Sequence, residues 1–326
     1  MRPAFYLLTN YRCILLIAFL KILKNFFAIS ALFRQIKLIY LRLNTVKCLG
    51  NAPDGSLKGR YVMSRSIVVT SGKGGVGKTT LTANIGRILA SLSLKTVLVD
   101  TDMGLNNLDV LMGVENRVVY DIVDVIENRC RVRQALVEDP ETNGLFILPS
   151  VHSYDCSRVD SQSIKAVIAS LKSRFDYVLI DCPAGIELGF HRSVAAADEA
   201  IVVTTPHLSA LRDAGKVIKL LKSYELKKIT AVLNRVRGDM EYSGESVTAN
   251  DVREMLGVPL LGAVPEDDEI NILSSLSLPP HKRSEGYRAT EMLCKNLHFG
   301  SGLIYDAQSK YRGFLGGIKR RIRKIV

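Results

Sequence analysis

The stretch SIVVTSGKGGVGKTT, residues 66–80, decides the fold. It opens with β-branched residues typical of a buried strand. It then enters a glycine-rich loop that matches the pattern G-x-x-x-x-G-K-[ST] over residues 72–79. Apolar residues with helical spacing follow from Lys78 to about Ser91. A strand, a glycine loop and a helix in this order predict a loop that binds phosphate.

The residue types in this loop fit phosphate chemistry. Glycines allow backbone N–H groups to curl around phosphate oxygens, and the helix directs its positive end at them. We expect Lys78 to bind the β- and γ-phosphates and the Thr79 hydroxyl to bind Mg²⁺. The predicted ATP-binding residues of the loop are Lys73, Gly74, Gly75, Val76, Gly77, Lys78, Thr79 and Thr80.

The rest of the body alternates short apolar runs with helical patterns. Further buried strands are predicted at residues 96–101, 145–148, 177–181, 200–204, 229–234 and 260–264. Helical patterns lie between most of them, at residues 163–173, 208–223 and 248–256. This alternation predicts an α/β fold with a doubly wound, mainly parallel sheet and helices on both faces. Such a sheet binds its ligand at the carboxyl ends of the strands.

Lys73, directly after the first glycine of the loop, is not required to hold phosphate. The sequence KGGVGKTT, residues 73–80, resembles the deviant Walker A loop of the SIMIBI class of P-loop NTPases. In that class the first lysine reaches across a dimer interface to the partner's nucleotide. The resemblance implies that Lys73 acts in trans once two ATP-loaded subunits associate, so that hydrolysis and dimerisation are coupled.

Two predicted strands end in acidic residues. One ends with VDTD at residues 99–102, and the other continues into IDCPAG at residues 180–185. By the same resemblance, Asp181 is at the Walker B position and holds Mg²⁺ through water, while Asp102 orients the attacking water. Asp100 is assigned to the outer coordination of the same ion. Acids ending two strands beside a phosphate loop disfavour the alternative that each only caps a helix.

Leu233-Asn-Arg235 closes another predicted strand, where nucleotide-binding relatives place an asparagine against adenine. Asn234 is therefore the candidate for contacting the base. The sequence contains no N-K-x-D stretch of the kind that recognises guanine. These features predict ATP, with Mg²⁺, rather than GTP.

Several further stretches resemble the MinD family of septum-site-determining ATPases. They are residues 103–109, 111–113, 117–121, 147–149, 182–187, 197–200, 211–213 and 264–267. The resemblance implies an ATP-driven homodimer that binds membranes, recruits a MinC-like inhibitor, hydrolyses ATP when a MinE-like regulator arrives and so positions the division ring. It also implies that residues 211–213 contribute to the partner-binding surface.

The net charge of +12 is concentrated at the two ends of the chain. Residues 1–60 carry ten Lys/Arg and one acid, and residues 310–326 carry seven Lys/Arg and none. The 27 bases and 31 acids that remain leave residues 61–309 at −4. We therefore expect an anionic surface contacted by a terminal arm rather than nucleic acid bound on the domain.

The C-terminal sequence FLGGIKRRIRKIV, residues 314–326, has an amphipathic pattern. At helical spacing its apolar residues fall within an arc of about 120°, with basic residues opposite. This pattern predicts a short helix in a membrane interface, facing anionic headgroups. The predicted membrane-binding residues are Phe314, Leu315, Ile318, Arg320, Ile322, Arg323, Lys324 and Ile325.

These patterns divide the chain into three parts. Residues 1–62 form an N-terminal extension, residues 63–300 the ATPase domain, and residues 301–326 a linker with the membrane helix. The extension is apolar and basic, but Lys21 and Lys24 interrupt its longest apolar run, which disfavours a membrane span. It is interpreted as a targeting segment, which suggests a plastid stroma and inner membrane surface, or as sequence upstream of a true start at Met63, as in a bacterial cytoplasm.

Three other functions compete with the membrane switch. A ParA-type partition ATPase shares the loop but binds DNA, and the acidic body and amphipathic C-terminus disfavour it. An iron–sulfur relative needs paired cysteines, whereas the six cysteines here are scattered without a C-x-x-C pair. A non-catalytic membrane adaptor is disfavoured because Lys73, Lys78, Thr79, Asp102 and Asp181 are all present.

Overall fold

The computed structural model describes residues 64–103, 107–150 and 159–312. Its described strands form one sheet in the order β3-β4-β2-β5-β1-β6-β7-β8, in which only β3 runs antiparallel to its neighbour. The strands are β1 (Arg65–Thr70), β2 (Thr96–Asp100), β3 (Val137–Glu138), β4 (Leu145–Leu148), β5 (Tyr177–Asp181), β6 (Glu199–Thr204), β7 (Lys228–Val236) and β8 (Leu260–Pro265).

Helices connect most of these strands. They are α1 (Lys78–Ser91), α2 (Leu108–Met112), α3 (Ile122–Ile126), α4 (Val132–Ala135), α5 (Ser161–Lys172), α6 (Leu188–Ala195), α7 (Leu208–Leu221), α8 (Gly238–Tyr242), α9 (Ala249–Leu256), α10 (Asp268–Ser275) and α11 (Glu285–Phe299). Short 3₁₀ turns occur at Glu115–Arg117 and Ser309–Tyr311. The predicted doubly wound, mainly parallel α/β fold is confirmed.

Alternate residues of the central strands enter two separate apolar layers. Ile67 and Val69 of β1 pack in one layer with α1 and α11, whereas Val68 packs in the other layer with α5, α6 and α7. Strands buried on both faces need continuous apolar sequences, because side chains alternate across the sheet. This explains why the predicted strand runs agree with the observed strands to within a few residues.

The helical patterns in the sequence did not include α2, α3, α4, α6, α8, α10 or α11, and the two-residue strand β3 was not predicted. The helix α11 has a mixed polar and apolar sequence, and its apolar side faces β8 and α1. Two capping residues mark the ends of this helix. The Ser284 side chain accepts a hydrogen bond from the Tyr287 N–H at the start, and Gly300, with φ of 69°, follows the last residue. Strand β3 has only two residues, which is too short to show an alternation of apolar and polar side chains.

Residues 301–312, predicted as a linker, pack on the body. The Asn296 side chain donates a hydrogen bond to the Leu303 carbonyl (2.6 Å) and accepts one from the Leu303 N–H (3.0 Å). Tyr311 is buried, and a Cβ on Gly238 would lie 2.0 Å from the Ala307 carbonyl oxygen. This part of the chain therefore has a defined path up to Arg312.

Two predicted regions lie outside the described residues. They are the N-terminal extension, residues 1–62, and the C-terminal amphipathic segment, residues 314–326. Within the described part of the chain, no helix is long and apolar enough to cross a membrane.

Candidate nucleotide-binding site

The glycine-rich loop joins the carboxyl end of β1 to the first turn of α1. Gly75 and Gly77 have φ of 76° and 85°, a left-handed conformation that side chains other than glycine rarely adopt. Gly77 is the N-cap of α1, and no acidic residue lies in the first turn of that helix. The free N–H groups and the positive end of the helix dipole therefore favour an anion at this position.

Two close contacts fix the loop between neighbouring elements. A Cβ on Gly72 would lie 2.5 Å from the backbone carbonyl carbon of Asp213 in α7. A Cβ on Gly77 would lie 2.5 Å from the side-chain nitrogen of Asn234 in β7. Any larger side chain at either position must displace backbone or a hydrogen-bonded amide. The contact to α7 connects the phosphate loop to the predicted partner-binding residues 211–213.

Lys78 begins α1 and is buried. Its ammonium group lies 3.1 Å from the carboxylate of Asp181, which also accepts a hydrogen bond from the Thr82 hydroxyl (3.3 Å). The Thr79 hydroxyl lies 3.5 Å from the same ammonium. The structure therefore brings together Lys78, Thr79 and Asp181, as the sequence predicts. The contact of Thr82 with Asp181 was not predicted, because a threonine one turn into a helix is ordinary in composition.

The sheet register pairs the two strand-end carboxylates. Asp100 at the end of β2 lies opposite Asp181 at the end of β5. Asp100 accepts hydrogen bonds from the backbone N–H groups of Asp102 (2.8 Å) and Leu108 (3.4 Å). Burial, followed by the negative charge of Asp181, raises the pKa of Asp100 well above its ordinary value. Two adjacent carboxylates in a buried site disfavour ionisation of both.

Asp102 is half-buried at the same edge of the sheet. Burial raises the pKa of Asp102, the Lys78 ammonium lowers it, and the Asp181 charge adds to the rise. Its backbone carbonyl accepts a hydrogen bond from the Ser150 hydroxyl (3.2 Å). Asp102 and Asp181 therefore lie near the buried ammonium of Lys78, and Asp100 lies opposite Asp181 in the sheet.

This donor set fits Mg²⁺ bound together with a nucleotide. Among the described residues no group of three or more His, Cys, Asp or Glu forms a metal site by itself. Mg²⁺ commonly retains water and binds one or two protein groups plus substrate phosphate oxygens. The carboxylates of Asp100 and Asp181, with the Thr79 hydroxyl, supply oxygen donors and the negative charge for such an ion.

Asn234 holds the phosphate loop from the side. Its amide nitrogen donates a hydrogen bond to the Val76 carbonyl (2.8 Å). The same residue lines a narrow cleft, together with Gly77, Thr80, Ile270 and Asn271. Asn234 is thus placed beside the cleft in which a base attached to the phosphates can lie, and its contact with adenine stays a prediction.

Lys73 is exposed and forms no ion pair with any residue that the structure describes. It lines an open cleft of about 800 Å³ together with His207 and Leu208, at the start of α7. Large apolar side chains are also exposed at this edge, namely Ile186, Leu188 and Leu208 at 50–68%. Sequence reasoning missed these residues, because exposure of an apolar side chain depends on the fold.

The thiol next to the site is inert. Burial raises the pKa of Cys182 to about 12, so the nucleophilic thiolate is not populated at neutral pH. Cys130, Cys182 and Cys294 are all free in the described part of the chain. The predicted membrane-binding residues of the C-terminal segment lie outside the described residues.

Comparison with known proteins gives the same family from sequence and from structure. Residues 67–279 match the family model for the CobQ/CobB/MinD/ParA nucleotide-binding domain. The chain is 41% identical over 263 residues to the septum site-determining protein MinD of Synechocystis, covering 80% of this chain and 99% of that protein. It is 46% identical over 217 residues to a putative MinD of Guillardia theta, covering 67% and 81%.

Solved structures with a similar fold include two from the same family. The MinC:MinD cell division complex of Aquifex aeolicus matches with a TM-score of 0.69 at 37% identity, covering 74% of this chain and 97% of that chain. The MinD of Pyrococcus horikoshii complexed with Mg-ADP matches with a TM-score of 0.67 at 32% identity, covering 74% and 98%.

Proposed function

The chain belongs to the MinD family of the CobQ/CobB/MinD/ParA nucleotide-binding domains, and we propose that it is an ATP-dependent switch that dimerises, binds a membrane and positions the division ring through partner proteins. The observation that carries this proposal is the edge of the sheet described above. There, a buried Lys78–Asp181 pair lies beside a glycine loop, and an exposed Lys73 forms no ion pair with the residues that the structure describes.

In this proposal the loop binds ATP through its backbone N–H groups and Lys78. Thr79, Asp181 and Asp100 bind or orient the ligands of Mg²⁺, which supplies charge neutralisation at the phosphates when bound. Asp102 orients the attacking water. The Pyrococcus relative complexed with Mg-ADP supports an adenine nucleotide and Mg²⁺ as the bound groups. The adjacent carboxylates of Asp100 and Asp181 also favour it, because a bound Mg²⁺ ion offsets their mutual repulsion.

The proposed dimer uses the same edge of the sheet. Exposed apolar side chains around a charged site are typical of a protein–protein interface. Ile186, Leu188 and Leu208 supply such a surface, and Lys73 has no acidic partner in its own described chain. A second copy carrying ATP offers Lys73 the phosphate oxygens that it lacks. ATP binding and association of two copies are then coupled.

Membrane binding is proposed to follow from dimerisation. One short amphipathic helix binds an anionic surface weakly, whereas two helices on one dimer bind through a high effective concentration. The C-terminal tail therefore needs no change of shape to respond to ATP. By likeness to the MinC:MinD complex, we propose that the dimer recruits a MinC-like partner, and that a MinE-like regulator stimulates hydrolysis.

The proposed location is the stroma of a plastid, at the inner membrane surface. Guillardia theta and Chlorella vulgaris, two of the organisms with similar MinD proteins, are algae with plastids. The alternative is the bacterial cytoplasm and the inner face of the cell membrane. Fractionation of the source cells distinguishes them, because recovery in plastids supports the first and recovery in a bacterial cytosol overturns it.

Co-sedimentation with vesicles of phosphatidylglycerol and phosphatidylcholine tests the membrane switch. The full chain is mixed with ATP, ADP or no nucleotide, and its dimerisation is followed in parallel by light scattering. We expect pelleting and dimerisation with ATP only. Equal pelleting in all three states, or none, contradicts the proposal, and salt-sensitive binding of DNA with ATP would then favour a ParA-type partition ATPase.

Lys73→Ala separates nucleotide binding from dimerisation. We expect ATP affinity to fall by less than about fivefold and ATP-dependent dimerisation to be lost, since the proposed contact of Lys73 is with the partner's phosphates. Binding of a fluorescent ATP analogue and light scattering measure the two effects. Lys95→Ala, which removes an exposed lysine at the end of the sheet where the strands begin, is the matched control and is expected to dimerise normally. Normal hydrolysis by Lys73→Ala contradicts the trans role.

A further inference from the structure

Helix α10 and most of the loop that follows it lie at the surface, and in the loop only Pro280 and Ser284 are buried. No residue of α10 is buried. The loop, residues 276–284, folds back along the helix, because the Leu278 N–H donates to the Leu273 carbonyl (2.8 Å) and the His281 N–H donates to the Glu269 carboxylate (3.1 Å). The loop and the helix therefore form one continuous surface.

This surface exposes large apolar side chains. Ile272 on α10 is 61% exposed, and Leu276 and Leu278 in the loop are 62% and 42% exposed. A helix with no buried residue and leucines in the adjoining loop is poorly explained by packing within the chain. Exposed apolar clusters of this kind mark surfaces that contact a partner or a membrane.

Two cations adjoin the apolar side chains. Lys282 and Arg283 are exposed, and neither forms an ion pair with a residue in the part of the chain that the structure describes. Of the nearby acids, Glu269 pairs with His281 (3.0 Å) and Glu285 pairs with Lys310 (2.5 Å), whereas Asp268 is exposed at the start of α10. We call Ile272, Leu276, Leu278, Lys282 and Arg283 the α10 patch.

The described chain ends beside this patch. Lys310 is paired with Glu285 in the first turn of α11, and that turn directly follows Arg283. Tyr311 is buried next to it in sequence, so the path of the backbone is fixed up to Arg312. The last described residue, Arg312, is thus two residues beyond Lys310, whose partner Glu285 is two residues beyond Arg283 of the α10 patch.

We propose that the α10 patch is a second contact with an anionic lipid surface, in addition to the C-terminal segment. This inference rests on the proposed membrane switch. The combination of apolar side chains with unpaired cations fits an interface between acyl chains and anionic headgroups. Binding of the tail to lipid would keep the patch near the same surface, because the Lys310–Glu285 pair fixes the chain just before the tail close to Arg283.

The proposed contact is also connected to the nucleotide cleft. Ile270 and Asn271 of α10 line the cleft that Asn234 and Gly77 form beside the phosphate loop. Lipid bound to one side of α10 is thus separated from the nucleotide by a single short helix. The patch orients the body on the membrane with this cleft at a defined distance from the lipid.

Lys282→Gln combined with Arg283→Gln tests the electrostatic half of the proposal in the full chain. Vesicle binding with ATP is expected to weaken by about 25-fold, since each of the two cations near an anionic surface contributes a factor of about five. ATP binding and dimerisation are expected to remain unchanged. The matched control is Leu92→Ser combined with Lys95→Gln, an exposed apolar and basic pair at the opposite edge of the sheet, which is expected to bind vesicles normally.

Leu278→Trp tests direct contact, and it is informative because the natural chain contains no tryptophan. With ATP and vesicles we expect the emission of this tryptophan to shift to shorter wavelength and to be quenched by brominated lipids. Leu92→Trp is the control and is expected to show neither effect. A tryptophan at residue 278 that is insensitive to brominated lipids overturns the proposal.

The outcomes separate this inference from the function on which it rests. If the natural chain fails to bind vesicles with ATP, the membrane switch itself is wrong. A second outcome is that the natural chain binds vesicles, Ile322→Glu abolishes this binding, and the α10 variants bind normally. In that case the tail is the sole anchor and the inference is wrong. If the α10 variants instead lose dimerisation, the patch belongs to a contact between two copies, which also overturns the lipid contact.

Discussion

The two edges of the same sheet differ in how their charged side chains are paired. At the amino edge, where the strands begin, Arg65 forms a 2.6 Å ion pair with Glu199 and donates hydrogen bonds to the Tyr177 hydroxyl and the Leu297 carbonyl. At the carboxyl edge, Asp102 and Asp181 lie near the buried ammonium of Lys78, and Asp100 lies opposite Asp181 without an ion pair of its own among the described residues. At the amino edge the charged side chains are paired within the chain. At the carboxyl edge the described residues supply fewer cations than carboxylates.

The pKa values of the acidic residues record this difference. Burial alone would raise the pKa of Asp198 at the amino edge, but hydrogen bonds from Lys172 and Ser66 lower it to about 2. At the carboxyl edge, burial and the Asp181 charge raise the pKa of Asp100 well above its ordinary value. The carboxyl edge thus carries an electrostatic cost in the nucleotide-free protein, and a bound cation relieves it.

The largest expected effect follows from removing one lysine at each edge. Lys78→Ala is expected to reduce ATP affinity by about 100-fold, since it removes charge-assisted hydrogen bonds to phosphate. Lys172→Ala, the matched change at the amino edge, removes the partner of Asp198 and is expected to leave ATP affinity unchanged. Titration with a fluorescent ATP analogue measures both. Undiminished ATP binding by Lys78→Ala would refute the assignment of the phosphate loop.

Neutralising one acid at each edge, the partly exposed Asp198 and the buried Asp100, is expected to change stability in opposite directions. Asp198→Asn is expected to lower the free energy of unfolding by about 1–2 kcal/mol at neutral pH, after allowance for solvent screening. Asp100→Asn is expected to raise it by about 1 kcal/mol in the absence of nucleotide, because it removes a buried, repelled charge. Urea unfolding at pH 7 measures both.

The same pair of variants is expected to differ in hydrolysis. Asp100→Asn is expected to lower Mg²⁺-dependent ATP hydrolysis by about tenfold, since groups in the outer coordination of a metal have effects of this size. Asp198→Asn is expected to retain the natural rate at temperatures where it is folded. Destabilisation by both variants would mean that the carboxyl edge is not strained, and the contrast between the edges would be wrong.

The smallest expected effect is a pH dependence of stability with opposite signs. The pKa of Asp198 is lowered from 3.8 to about 2, so its contribution to stability is present above about pH 4 and is lost between about pH 4 and 2. The pKa of Asp100 is raised, so its contribution is present below about pH 4 and is lost as the pH rises through its folded-state pKa.

Urea unfolding of three proteins as a function of pH isolates these contributions. The natural chain and Asp198→Asn are expected to converge in stability between pH 4 and 2. Asp100→Asn is expected to become more stable than the natural chain only above about pH 4. A constant difference between Asp100→Asn and the natural chain from pH 3 to pH 7 would contradict a raised pKa at residue 100.

Local features of the site were predictable, because short-range chemistry specifies them. The loop and the first turn of α1 follow from glycines at positive φ next to a lysine and a threonine. The parallel sheet follows from continuous β-branched runs. The surface that surrounds the site was not predictable, since Ile186 and Leu208 have the composition of core residues and only the packing leaves them exposed.

The sequence by itself determined the phosphate loop, the order of strands and helices, and the family. Only the tertiary structure decided which charges meet. The register of β2 against β5 places Asp100 opposite Asp181, and the packing of α1 places Lys78 between them and the loop. These residues are distant in the chain, and the energies that shift their pKa values depend on burial and on separations of a few ångströms. Those quantities exist only once the sheet has formed.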